Sequence, residues 1–182
     1  MPTQSWSHLK PHLQRLEKEK LVQILGDLYK LNADNKVFLA TRFLATTPEE
    51  MAEPYRKIIR QVFNPDGRGH PSLQLGVARK ALNDFKKACA DPVAVIDFML
   101  FYVEQGVLCT NTYGDIDAPF YDSLLSVYVK ATDLVEEIDD PEVFEPLHAR
   151  FLTIIRDTRD IGWSFHDGIV EASMAILEAE WE

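Results

Sequence analysis

Two short polar stretches carry the residue types that could do chemistry in this sequence. The first runs from Cys109 to Asp117 and places small, polar and acidic residues within an apolar region. Asp115 and Asp117 offer carboxylate oxygens, which hard cations such as Ca²⁺ prefer. The stretch lacks the further oxygen ligands and the twelfth-position glutamate of an EF-hand. The alternative is a structural role, in which Asp117 caps a helix and Gly114 permits a turn.

The second stretch is Gly162–Gly168, which contains Trp163, His166 and Asp167. In a helix that has begun by Trp163, these three residues share one face. A histidine beside an acid and an aromatic ring can bind a ligand or transfer protons. The structural alternative is a capping box from Ser164 to Asp167, with an inert, hydrogen-bonded His166. We predict a polar pocket between the long helices that is lined by Tyr113, Asp115, Trp163, His166 and Asp167.

A third group is basic and lies on two helices. If those helices are neighbours, they present one positive face, which would meet an anion or the acidic half of a second copy. A solvated surface is the simpler alternative. The predicted interaction face consists of Arg56, Lys57, Arg60, Arg79, Lys80 and Lys87.

Charge is divided unevenly along the 182 residues. Residues 1–90 hold 15 Lys/Arg and 9 Asp/Glu, whereas residues 91–182 hold 4 and 20. The overall charge of −10 argues against nucleic-acid binding, which depends on a basic surface. The asymmetry favours a protein partner or a homo-oligomer. We therefore expect an interaction or binding module, with an enzyme or a small-molecule or metal binder as the alternative.

The remaining features exclude several classes of protein. The sequence has no nucleophile elbow, zincin motif, P-loop or dinucleotide fingerprint, so it assigns no reaction, cofactor or metal. The N-terminus has no basic start followed by an apolar run, so we expect no signal peptide. The apolar stretch Pro92–Val103 is interrupted by Asp97 and is too short to span a bilayer. With Cys89 and Cys109 expected to be buried thiols, we predict a cytoplasmic protein without membrane contact.

Apolar residues recur at helical spacing almost throughout, as at Leu21, Ile24, Leu25 and Leu28. No segment shows the alternation of a strand. We predict a single all-α domain over residues 1–182, a compact array of about eight helices with a short α-solenoid as the alternative. The helix over 92–108 is apolar nearly all round, which places it at the centre. The predicted helices are 6–17, 19–31, 34–45, 48–63, 72–90, 92–108, 118–138 and 141–159, and a ninth from about Ser164 to Trp181.

Several of these stretches together resemble a bacterial, all-helical protein family of unknown function. The resemblance implies an all-helical fold and no particular activity, cofactor or catalytic residue. It also suggests that both polar stretches belong to the pattern of the whole family. The matching pieces lie in family order along most of the chain: Leu25–Asn32, Phe38–Phe43, Tyr55–Ile59, Ala78–Lys87, Tyr102–Gly106, Thr112–Ile116, Phe120-Tyr121 and Gly162–Asp167.

Overall fold

The computed structural model describes residues 5–64 and 69–178, and all regular secondary structure within these residues is helical. This confirms the all-α prediction. The chain forms two compact units, the N-terminal unit Met1–Leu44 and the main unit Ala45–Glu182. A single domain over residues 1–182 stays a prediction. The described helices are α1 (Trp6–Leu13), α2 (Lys18–Leu31) and α3 (Ala33–Leu44) in the first unit, and α4 (Pro48–Phe63), α5 (Leu75–Ala88), α6 (Pro92–Tyr113), α7 (Ala118–Val135), α8 (Pro141–Asp157), α9 (Phe165–Ala172) and α10 (Met174–Glu178) in the second.

Three helices of the main unit begin in the same way, with a capping side chain followed by proline. Proline fits the first helical position because its missing N–H would have had no helical partner. The Thr47 hydroxyl accepts the Glu50 N–H at 3.2 Å, and the Asp91 carboxylate accepts the Val93 N–H at 2.9 Å. Asp140 caps α8 in the same manner. The predicted starts of α4, α6 and α8 are therefore confirmed.

Helix α6 forms the centre of the main unit and packs against α4, α5, α7 and α8. It continues five residues beyond the predicted end, to Tyr113, because the helical hydrogen bonds run on until the Gly114 N–H meets the Thr110 carbonyl at 2.8 Å. Gly114 ends the helix with a φ of 91°, a conformation that favours glycine. The first polar stretch is therefore helical up to Tyr113, and only Gly114–Asp117 connects α6 to α7.

Among the described residues, α6 is the one helix long and apolar enough to cross a membrane. Its most apolar 18-residue window is 61% buried inside the protein. A central helix that packs against four neighbours has this composition, so the finding is weak evidence for a membrane span.

The predicted ninth helix is divided at Ser173 into α9 and α10, and its expected end near Trp181 lies outside the described residues. The Ser173 hydroxyl donates to the Ile169 carbonyl at 2.7 Å and also contacts the Tyr128 hydroxyl at 2.6 Å. Ser164 precedes α9 in a left-handed conformation, with a φ of 54°, and its side chain caps nothing. The capping box considered for this turn is therefore wrong.

Candidate functional site

The first turns of α4, α6 and α8 surround a groove of about 310 Å³ in the main unit. Ligand sites of small molecules begin at about this volume. The walls combine apolar side chains with five charged ones, of which four are acidic. We call it the α4–α6–α8 groove. Its lining residues are Pro48, Glu49, Ala52, Arg56, Asp91, Val93, Ala94, Asp97, Glu142, Val143, Pro146 and Leu147.

An ion-pair network reaches the groove through Asp97 of α6. The Asp97 carboxylate accepts hydrogen bonds from Arg56 of α4 and Arg150 of α8, each at 2.5 Å. Arg150 also binds both oxygens of Glu104, at 2.7 and 2.9 Å. Burial disfavours the charge of Arg150, but its bonds to Glu104 and Asp97 outweigh that cost and raise its pKa. Two arginines and two carboxylates thus neutralise one another and tie α4, α6 and α8 together.

Arg56 is held in the groove by its surroundings as well as by its charge. Its guanidinium carbon lies 5.2 Å from the centre of the Phe101 ring. This distance is typical of a cation–π contact. Among the described residues, its buried Nε has no hydrogen-bond partner. The Nε–H of Arg56 can therefore still donate a hydrogen bond, although Asp97 already neutralises the charge of this arginine.

The two polar stretches predicted from the sequence meet at Tyr121 of α7. Its hydroxyl accepts the Ile116 N–H at 3.2 Å and lies 3.4 Å from the Asp115 carboxylate. Its ring stacks on Trp163 with 6.4 Å between the centres. The structure thus brings Asp115 and Trp163 to the same tyrosine. Sequence reasoning had not selected Tyr121 as a site residue, although it follows the first stretch directly.

His166 is oriented by Thr158, a residue with no exposed surface. The Thr158 hydroxyl donates its one proton to the Ile155 carbonyl at 3.0 Å. His166 Nδ1 lies 2.9 Å from that hydroxyl, and in the tautomer that keeps both bonds it supplies the proton. Neutral His166 then carries its proton on Nδ1, which leaves the Nε2 lone pair available to a proton or a metal ion.

The other predicted site residues lie in different surroundings. Tyr113 is 41% exposed, and its ring centre lies 6.3 Å from that of His70. Asp167 is exposed on the first turn of α9. Trp163 is 57% exposed and has a φ of 60°, a strained conformation for a non-glycine residue. The shared pocket of Tyr113 and His166 stays a prediction.

The predicted basic face lies on α4 and α5, which are neighbours, but most of its charges are already paired. Arg56 pairs with Asp97, and Arg60 with Glu53 at 2.9 Å. Arg79 instead points to α7, where it donates to Ser126 at 2.7 Å. Lys57 is exposed. Asp84 forms ion pairs with both of the remaining lysines, Lys80 and Lys87.

The side chains that could ligate a metal ion lie apart from one another in the described part of the chain. Within residues 5–64 and 69–178, no three His, Cys, Asp or Glu side chains are grouped so that they could hold a metal ion. Asp117, one of the two carboxylates considered for a cation, accepts the Phe120 N–H at 2.9 Å and so caps α7. Asp117 therefore has the structural role that the sequence also allowed.

Comparison with known proteins identifies a family. Residues 4–171 match the model of a family of unknown function, DUF6155. Searches of the curated proteins and of the solved structures gave no match. The match covers nearly the whole chain and confirms the resemblance found in the sequence.

Proposed function

This chain belongs to the DUF6155 family, and we propose from its geometry that it is a binding module whose α4–α6–α8 groove holds a small ligand with a positive charge on an apolar body. The observation that carries the proposal is the lining of the groove, in which acidic side chains border an apolar surface.

The sign of the ligand's charge follows from a balance of the groove's own charges. Asp97, Arg56 and their partners neutralise one another. Three carboxylates remain, those of Glu49, Asp91 and Glu142. The three helix N-termini offset only about +1.5 of this charge. A negative excess of about 1.5 charges is left, which attracts a cation such as an ammonium group.

The apolar part of the ligand is argued from the groove's walls. Val93, Val143 and Leu147 are among the side chains that line it. Covering apolar surface contributes about 25 cal/mol per Å². An alkyl chain of a few carbons would therefore bind there while its ammonium group lies near Glu49 or Glu142.

The test compares three probes of equal length: hexylamine, hexanol and hexanoate. Ligand-observed NMR should give the tightest binding for hexylamine and the weakest for hexanoate. Glu142→Gln should weaken hexylamine binding about twofold to fivefold, as expected for one exposed charge. The matched control is Glu145→Gln, an exposed acid of α8 outside the groove lining. Hexanoate binding as tightly as hexylamine, or equal effects of the two substitutions, would overturn the proposal.

A protein partner or a second copy of the chain is the second candidate, and the N-terminal unit favours it. Val22, Leu25 and Tyr29 share one face of α2, and each is more than 40% exposed. Exposed apolar rows of this kind mark interaction sites. Residues 1–44 hold 7 Lys/Arg and 4 Asp/Glu, whereas residues 45–182 hold 12 and 25. Opposite net charges of +3 and −13 would attract the units of different copies.

An acid–base or metal-binding function at the two polar stretches is a further proposal. It is supported by the meeting of Asp115 and Trp163 at Tyr121 and by His166, whose Nδ1 forms a hydrogen bond with Thr158. A cytoplasmic location also stays a proposal. It is supported by Cys89 and Cys109, which are buried and form no disulfide, as suits a reducing compartment.

A further inference from the structure

Three basic side chains of the main unit lie on α5 and α7, the helices that flank α6 on the side of Tyr102. Arg79 and Lys86 are seven residues, or about two turns, apart on α5, so they share a face. Lys130 lies on α7, one turn beyond Ser126. The hydrogen bond from Arg79 to Ser126, 2.7 Å long, shows that this face of α5 is turned towards α7.

The three cations have no carboxylate partner among the described residues. The other basic residues near them, Lys80 and Lys87, both pair with Asp84. The lack of partners is not due to a shortage of acids, because residues 45–182 carry a net charge of −13. Holding like charges together costs free energy, which a bound anion would offset.

Lys86 is affected by the positive charges of the other two residues. Burial lowers the pKa of Lys86, and the positive charges of Lys130 and Arg79 lower it further. An anion between them would remove the repulsion and raise that pKa again.

Arg79 offers hydrogen-bond donors that suit an oxyanion. The Arg79 guanidinium carbon lies 6.0 Å from the Tyr102 ring, and its bond to Ser126 uses only Nη2. Its other N–H groups remain for a ligand, in the planar arrangement that fits phosphate oxygens. The Tyr102 hydroxyl, on a side chain with no exposed surface, forms a hydrogen bond of 2.9 Å with Ser123 and so connects α6 to α7 beside Arg79.

We propose that Arg79, Lys86 and Lys130 form a binding site for the phosphate group of a small molecule. The site lies on α5 and α7, whereas the α4–α6–α8 groove uses other helices and the Asp97 side of α6. It is therefore a second site, which binds an anion and is independent of the proposed function.

The test follows the Nζ signals of the lysines by NMR while inorganic phosphate is added at constant ionic strength, with glycerol 3-phosphate in a parallel titration. Saturable binding should raise the pKa of Lys86 and leave the Nζ signal of Lys57, an exposed lysine of α4, unchanged. If inorganic phosphate binds more tightly, the site prefers the free ion. If glycerol 3-phosphate binds more tightly, the site prefers a phosphate ester.

Two substitutions complete the test. Lys130→Met changes an exposed side chain, so the protein should stay folded, and phosphate should bind about tenfold more weakly. Lys57→Met should leave binding unchanged. The proposal is wrong if neither compound shifts Lys86 saturably, if Lys57 responds as much as Lys86, or if Lys130→Met binds phosphate as the wild type does.

Discussion

Asp97 and Glu104 lie two turns apart on α6, and the single guanidinium of Arg150 binds both carboxylates. One arginine of α8 thereby fixes the register of α8 against the central helix. The same contact holds Asp97 in position beside the α4–α6–α8 groove.

Replacing Arg150 by methionine should lower the free energy of unfolding by about 2 kcal/mol, because the partly buried Glu104 loses its arginine and Asp97 keeps only Arg56. The cost stays below that of a fully buried pair, since these side chains are 26–39% exposed. Urea unfolding followed by circular dichroism measures it. The control is Arg156→Met, which removes an exposed pair with Asp157 and should cost under about 0.5 kcal/mol. Equal losses would contradict a structural role of the network.

Gly106→Ala should destabilise the protein by about 1–3 kcal/mol, the usual cost of overpacking a core. A methyl group at this position would collide with the buried Leu124 side chain, so α6 and α7 could no longer approach as closely. Thermal unfolding of Gly76→Ala provides the control, because a methyl group there meets open space on α5. We expect that variant to be no less stable than the wild type. A Gly106→Ala protein as stable as the control would show that the close approach is unnecessary.

Tyr128 should make the protein sensitive to alkali. Burial raises the pKa of its phenol to about 12, against an opposing hydrogen bond with Ser173. The folded protein then keeps a proton that the unfolded chain loses above pH 10.0. Tyr128 does not lower the free energy of unfolding below that pH. As the pH rises towards about 12, the free energy of unfolding falls, by roughly 1.4 kcal/mol for each unit of difference between the folded and unfolded pKa. Tyr128→Phe should flatten this loss, whereas Tyr29→Phe, on an exposed tyrosine, should not. An unchanged alkaline slope in Tyr128→Phe would contradict the assignment.

His166 should carry its proton on Nδ1 when neutral. The Thr158 hydroxyl donates its proton to the Ile155 carbonyl, and it then accepts a hydrogen bond from the imidazole. Long-range ¹⁵N–¹H NMR at a pH well above 6.5, where histidine is normally neutral, distinguishes the two tautomers. Thr158→Val should remove the preference. A wild-type signal from the Nε2-protonated form would rule out Nε2 as a base or metal ligand in this arrangement.

Self-association through opposite charges should weaken as salt rises, because the Debye length is roughly 8 Å at physiological ionic strength. Sedimentation velocity over a range of salt concentrations measures it. Leu25→Asn, on the exposed face of α2, should reduce association, whereas Leu152→Asn, on an equally exposed leucine of α8, should not. A protein that is monomeric at high concentration at every salt level would exclude the homo-oligomer and leave a different protein partner open.

The helices could be predicted because their signals are local. A capping residue followed by proline marks the starts of α4, α6 and α8, and each is found where expected. The ends of the helices were harder to predict than their starts. In α6, nothing in Cys109–Tyr113 stops the helix, which ends only where Gly114 adopts a positive φ. The break at Ser173 coincides with a hydrogen bond to Tyr128, a contact across 45 residues that no local pattern reveals.

The groove could not be predicted for the same reason. Its walls come from three first turns separated by more than 40 residues, and they meet only because α4 and α8 both pack on α6. The one visible signal was Asp97, a charge within an apolar helix. In the sequence alone, this charge argues only against a membrane span. Its partners, Arg56 and Arg150, become evident only in three dimensions.

The most direct test of the central proposal is to map hexylamine binding by methyl NMR of the whole 182-residue chain. Hexylamine should cause saturable shifts of Val93, Val143 and Leu147, which line the groove. It should not shift Ile169, a fully buried residue of α9 that does not line the groove. Saturable binding that leaves the three groove residues unchanged, or no binding of the amine at all, would contradict the account.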